Sequence, residues 1–270
     1  MLREILLRRE LIFQLALKDL KIRYQRSIFG FIWIVLSPFV TVSIFYLVFA
    51  VVLRVKIDEV PFVLYLMSAV FPWSFFHDSI SASVTSLVDS RNLIKESSFP
   101  HYFIPVSIVL TKTIIFLPSL LIVLVASFLI LKSLPVFVLF LPAVLILHTS
   151  IILSLAVIFS IIYVKFRDIK YIVDSLMLLI FYLTPAFYSF GLIKDSLSAD
   201  FLKLYISNPF VGMMNMYRVV ILKDFYKIIV PDIGIFSLIV IPVIFALVSS
   251  LTGLYLYKRN KNIINDYLSY

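Results

Sequence analysis

The chain has 270 residues, of which 62% are hydrophobic and only 14% charged. A water-soluble fold of this size could not hide so much apolar surface, so a bilayer must cover it, and little length is left for a second folded domain. The formal net charge is +9 and cysteine is absent: this excludes disulfides, thiolate metal sites and cysteine nucleophiles, while nothing beyond the sign of the charge points to nucleic acid.

Residues 1–30 are expected to form an amphipathic helix at the cytoplasmic membrane interface. The stretch from Arg3 to Arg26 carries seven basic and three acidic residues and lacks a short apolar core followed by a small-residue cleavage site, so it reads as a retained segment and not a cleaved signal. Phe13, Leu17, Leu20 and Tyr24 fall on one helical face, with Arg8, Asp19, Arg23 and Arg26 on the other, a pattern suited to lying on anionic lipid.

A span needs about 20 apolar residues to cross roughly 30 Å of hydrocarbon. Residues 31–257 supply six, at about 31–53, 61–88, 102–131, 135–164, 171–190 and 233–257. The predicted class is an all-α integral membrane protein with six transmembrane helices, the N-terminal interface helix, and short interfacial helices between spans five and six. The second span ends in a polar run (Ser79, Ser81, Ser83, Thr85, Ser86), so its helix continues past the lipid. Only Lys132–Leu134 separates spans three and four, which dictates a tight helical hairpin. The segment at about 191–232 has no clean twenty-residue apolar run. It reads as extracytoplasmic short helices that lie in or dip into the interface, where non-helical backbone must be covered by protein. Residues 258–270 form a tail.

With the N-terminus inside, the inner segments hold fifteen Lys and Arg and the short outer loops hold three. Both termini are therefore predicted cytoplasmic.

The run Lys21, Arg23, Tyr24, Ser27, Phe29, Gly30 and Trp33, followed by Pro38, resembles the start of the first span in type-2 ABC exporter permeases for polysaccharides. That family usually has Leu where Phe29 stands. Three further stretches agree with it in order: Asn92-Leu93-Ile94-Lys95 with Phe99-Pro100, then Arg167-Asp168-Ile169, then Leu183-Thr184-Pro185-Ala186-Phe187-Tyr188 with Asn208-Pro209 beyond. The resemblance covers essentially the whole chain. It implies a homodimer in the inner (plasma) membrane, with a continuous channel between the two copies. It also implies two copies of a cytoplasmic ATP-binding subunit, which would bind ATP and Mg, and a substrate polymer on a polyprenyl-pyrophosphate carrier, such as O-antigen, capsule or teichoic acid.

The residues read the same way. The five glycines form no phosphate-cradling G-x-x-x-x-G-K-[ST] loop, so the chain has no ATP site or cofactor of its own and must borrow its energy source. The link from Asp89 to Pro100 is a candidate lever for the ATPase, with Arg91, Asn92, Leu93, Ile94, Lys95 and Phe99 as coupling residues; Arg167 and Asp168 form a second link. Both stretches also read as ordinary positive-inside loops. Among the 26 Phe and 15 Tyr, most belong against lipid. Tyr46, Phe49, Phe181, Tyr182, Phe187 and Tyr188 are the candidates to line a polymer path, because flat rings stack on sugar faces without demanding one register. Lys112, with Arg23 and Arg26, would suit a pyrophosphate headgroup. Lys112, Asp78 and Asp174 also read as helix-to-helix pairing groups. No metal-ligand spacing and no catalytic residue set is present. A permease for a small drug or lipid remains an alternative. A membrane-embedded polyprenyl enzyme is a third reading, opposed by the lack of clustered acidic residues for a divalent metal.

Overall fold

The computed structural model describes residues 7–24, 32–54, 57, 60–96 and 100–269. Helix α1 is Arg9–Tyr24 and α2 is Ile32–Phe45, which runs on as a wider π-helical turn through Val52. Helix α3, Phe62–Val84, is followed by two short helices, α4 (Ser86–Asp89) and α5 (Arg91–Glu96). Then come α6 (Phe103–Leu131), α7 (Leu141–Lys165), led by a 3-10 turn from Val136, and α8 (Ile169–Tyr182). Four shorter helices follow: α9 (Phe190–Ser196), α10 (Ala199–Ile206), α11 (Pro209–Ile221) and α12 (Tyr226–Ile235). A π-helical stretch, Phe236–Val240, leads into α13, Ile241–Ser269. Among the described residues there is no strand, so the protein is all-α.

Three of these helical stretches are long and apolar enough to cross a membrane: Phe103–Leu131, Val136–Lys165 and Tyr226–Asn260. Phe39–Val52 is a shorter apolar one. Helix α3 is more polar, and burial explains why it need not be otherwise. Every residue from Leu64 to Trp73 is buried, and α3 packs on α2, α6, α7, α8 and α11. A helix surrounded by protein owes less to lipid than one at the rim. The rim is apolar: Leu117, Leu121, Val125 and Phe128 of α6, and Leu247, Val248 and Leu251 of α13, are all exposed.

The most extensive helix pair is α7 with α13, and small residues explain its closeness. A Cβ on Gly253 would stand 3.3 Å from the Ser154 carbonyl oxygen, and the Ser154 and Ser250 hydroxyls meet at 2.8 Å. Without a hydrophobic drive between helices in lipid, such close approach and hydrogen bonding supply the association.

The structure shows which face of α1 meets the bundle, and it corrects one expectation, the length of the fifth helix. The buried stripe of α1 is Ile12, Ala16 and Leu20, while Phe13 is 46% exposed. Ala16 is small enough to let α1 close on α6, where the Thr111 hydroxyl donates to the Ala16 carbonyl at 3.2 Å; the bulkier Phe13 is left on the flank. The fifth helix, expected to reach 190, stops at Tyr182. Pro185 is the cause, because the residue before a proline is pushed out of helical geometry. At about 1.5 Å per residue its 14 residues cover about 21 Å.

Candidate functional site

At one end of the bundle the α4–α5 link shares a buried cluster with α1. A compact cluster of Ile12, Leu87, Ile94, Tyr102, Phe103 and Tyr257 joins α1, α4, α5, α6 and the last helix. Tyr102 and Tyr257 meet edge to face, with ring centroids 4.8 Å apart. Within α5, Ile94 is buried in this cluster, Arg91 and Leu93 are half-buried and Asn92 is exposed. Through Ile94 the short helix α5 thus belongs to the same buried cluster as α1, α4, α6, α7 and the last helix. Lys95 lies in the same short helix, and Phe99 lies outside the described residues. Arg167 and Asp168 are exposed between α7 and α8. Arg167 lies against the last turn of α7, with its guanidinium carbon 4.9 Å from the Tyr163 ring centre.

Of the headgroup candidates, Arg23 lies in the last turn of α1 and Arg26 lies outside the described residues. Lys112 is buried on α6, with its Nζ 3.7 Å from a carboxylate oxygen of Asp78 on α3. That is the cross-helix pairing a cation at membrane depth requires. Asp174 is exposed on α8.

At the other end, the structure gathers five of the six aromatic candidates. Phe187 is the hub: its ring centroid lies 4.8 Å from Phe49, 5.6 Å from Phe181, 5.8 Å from Tyr182 and 5.1 Å from Tyr188. Sequence reasoning missed Phe45, which stacks on Phe187 at 5.6 Å, and Trp73, 5.4 Å from Phe181. Tyr46 is not brought in; it is 42% exposed on the π-helical turn. Edge-to-face and offset contacts of this kind add to what area burial alone provides.

Behind this cluster sits a group that sequence reasoning also missed. Arg218 of α11 is fully buried. Its guanidinium carbon lies 3.5 Å from the Tyr65 ring centre, Nη1 donates to Asn215 Oδ1 at 3.1 Å, and Nη2 donates to the Ala186 carbonyl at 3.1 Å. Among the described residues no carboxylate pairs with it, and Nε has no partner. Burial lowers its pKa from the ordinary guanidinium range, and the nearby phenols of Tyr65, Tyr205 and Tyr188 act in the opposite sense. The sequence did carry a signal: Arg218 is the only charge between Lys203 and Lys223, in an otherwise uncharged helix.

Residues 10–222 match the ABC-2 type transporter family. An O-antigen export system permease protein, RfbA, of Myxococcus xanthus is 32% identical over 232 residues, covering 86% of each chain. Two proteins of the same name from Klebsiella pneumoniae are 29% and 30% identical, each over 74% of this chain and 76% of their own.

Proposed function

The chain belongs to the ABC-2 type transporter family, and from that premise we propose that it exports an O-antigen-like polysaccharide, carried on a polyprenyl pyrophosphate, across the inner membrane. As a permease of this family it is a transport subunit, and ATP is hydrolysed in a separate partner. The substrate class rests on one observation, the likeness to O-antigen export permeases, which reaches 86% of the chain for the relative from Myxococcus xanthus.

In this reading two copies of the chain face each other, with the polymer passing between them. Both termini and the α4–α5 link are cytoplasmic, and two ATPase subunits, holding ATP and Mg, dock on that side. Asn92, with Arg91, Leu93 and Lys95, Phe99 beyond them, and Arg167 and Asp168 in the second link, offers the docking surface. Because Ile94 is anchored among Leu87, Tyr102 and Tyr257, movement of the ATPase is delivered to the second, third and last spans together. Interiors are close-packed and transmit strain instead of absorbing it. Lys112, Arg23 and Arg26 guide the anionic carrier at the inner side. The rings around Phe187 form the outer part of the path, where stacking holds sugars without fixing their register.

The test is complementation. In cells that make O-antigen but lack their own permease, the chain and its ATPase should together restore polymer at the cell surface. An assembled complex that hydrolyses ATP while the polymer stays inside would overturn the substrate assignment and favour a smaller lipid or drug.

A further inference from the structure

The segment that carries Phe187 is not helical, yet side chains engage four carbonyls along it and at the end of α8. Between the end of α8 and the start of α9, the Tyr182 carbonyl accepts from the Tyr188 hydroxyl at 2.8 Å. The Leu183 carbonyl accepts from Asn208 Nδ2 at 3.1 Å, the Ala186 carbonyl from Arg218 Nη2 at 3.1 Å, and the Tyr188 carbonyl from the Tyr65 hydroxyl at 2.8 Å. Three of these four donors come from outside the segment. Two, Asn208 and Arg218, belong to the start and the far end of α11, and the third belongs to the buried face of α3. Exposed carbonyls are not tolerated where water is scarce, so each donor supplies what a helix would otherwise have supplied.

The donors also lock one another. The Tyr65 ring lies under the Arg218 guanidinium while its hydroxyl holds Tyr188, and Asn215 orients Nη1 so that Nη2 points at Ala186. A planar fork with two directed bonds and a ring beneath it is a geometry that lysine cannot copy.

We propose that Arg218, with Tyr65 and Asn208, is a three-point clamp that positions the Leu183–Tyr188 segment, and through it the aromatic rings around Phe187, for passage of the polymer. Arg218 is thus a positioning residue: it does not touch the substrate. The proposal rests on the reading of the aromatic cluster as part of the path, and the experiment separates the two.

The chain has no cysteine, so a single Thr184→Cys reporter can be introduced cleanly. Thr184 is fully buried in the clamped segment. A second reporter, Ser160→Cys, sits fully buried on α7 and bonds only within its own helix. In the full complex, Arg218→Met should raise N-ethylmaleimide labelling of the first reporter at least tenfold and leave the second unchanged, while export falls at least tenfold with membrane insertion intact. Arg218→Lys should give a smaller rise. If Arg218→Met does not accumulate, Tyr65→Phe takes its place. It keeps the ring under the guanidinium and removes only the donor to Tyr188, and should raise labelling about threefold. Unchanged labelling of the first reporter, or an equal rise in both, overturns the clamp. A rise confined to the first reporter with normal export upholds the clamp and overturns the assignment of the cluster to the path.

Discussion

Replacing Gly212 with alanine should destabilise the protein, although alanine is the better helix former by about 1 kcal/mol. Gly212 lies in the first half of α11, where that helix crosses the π-helical stretch before α13. A Cβ added there would overlap the Ser237 carbonyl oxygen, come within 2.9 Å of the Leu238 carbonyl oxygen and within 2.8 Å of Pro242 Cγ, where ordinary contact is 3.4–4 Å. Two of these three atoms are backbone and cannot rotate away. Helix α11 must therefore back off by a distance on the order of 1 Å, and such overpacking costs about 1–3 kcal/mol. The upper part of that range applies, because the same helix carries Phe210 and Arg218 and is capped by Asn208, and their contacts loosen as it moves. After the helix-propensity gain the net loss is about 1–2 kcal/mol. Thermal stability in detergent, followed by retention of the monodisperse peak on size exclusion, reads this directly. Pro242→Ala in the same chain should restore only part of the loss, since both carbonyls remain. A Gly212→Ala protein as stable as the parent or more so would refute the close approach and, with it, the placement of α11.

Four further outcomes are expected. Gly234→Ala should cost about 1–3 kcal/mol in the same assay, because Gly234 has φ 73° and ψ 158°, a region almost reserved for glycine; its Cβ would meet nothing within 4 Å, so any destabilisation reports the backbone alone, and none would mean that the last span is not broken there. Ile94→Asp should abolish export while the protein still inserts, by placing a carboxylate among Leu87, Tyr102 and Tyr257. Asn92→Trp should leave thermal stability within about 0.5 kcal/mol, as surface changes do, yet reduce recovery of the ATPase in pull-downs, and full recovery would remove Asn92 from the docking surface. Purified without its partner, the chain should hydrolyse no ATP; activity that survives further purification would refute the division of labour.

Apolar runs of span length, the absence of a phosphate loop and the bias of Lys and Arg toward one set of loops are one-dimensional properties, because the bilayer acts on each stretch separately. Composition and order along the chain therefore determined that the protein is helical and membrane-embedded, and the four ordered motifs led to its family. The aromatic candidates were legible for a related reason: all six lie in two short stretches that each carry several rings. What the sequence could not decide was which face each helix turns inward and what fills a break between helices. Ile12 and Ala16 outrank Phe13 only because α6 offers a surface that a small residue can approach. The fifth helix ends early, and the carbonyls it leaves at Leu183, Ala186 and Tyr188 find Asn208, Arg218 and Tyr65, residues distant in sequence from at least one of their partners. A buried cation such as Arg218 is affordable only where the folded chain brings a ring and two acceptors to it at once, and that coincidence exists in three dimensions alone.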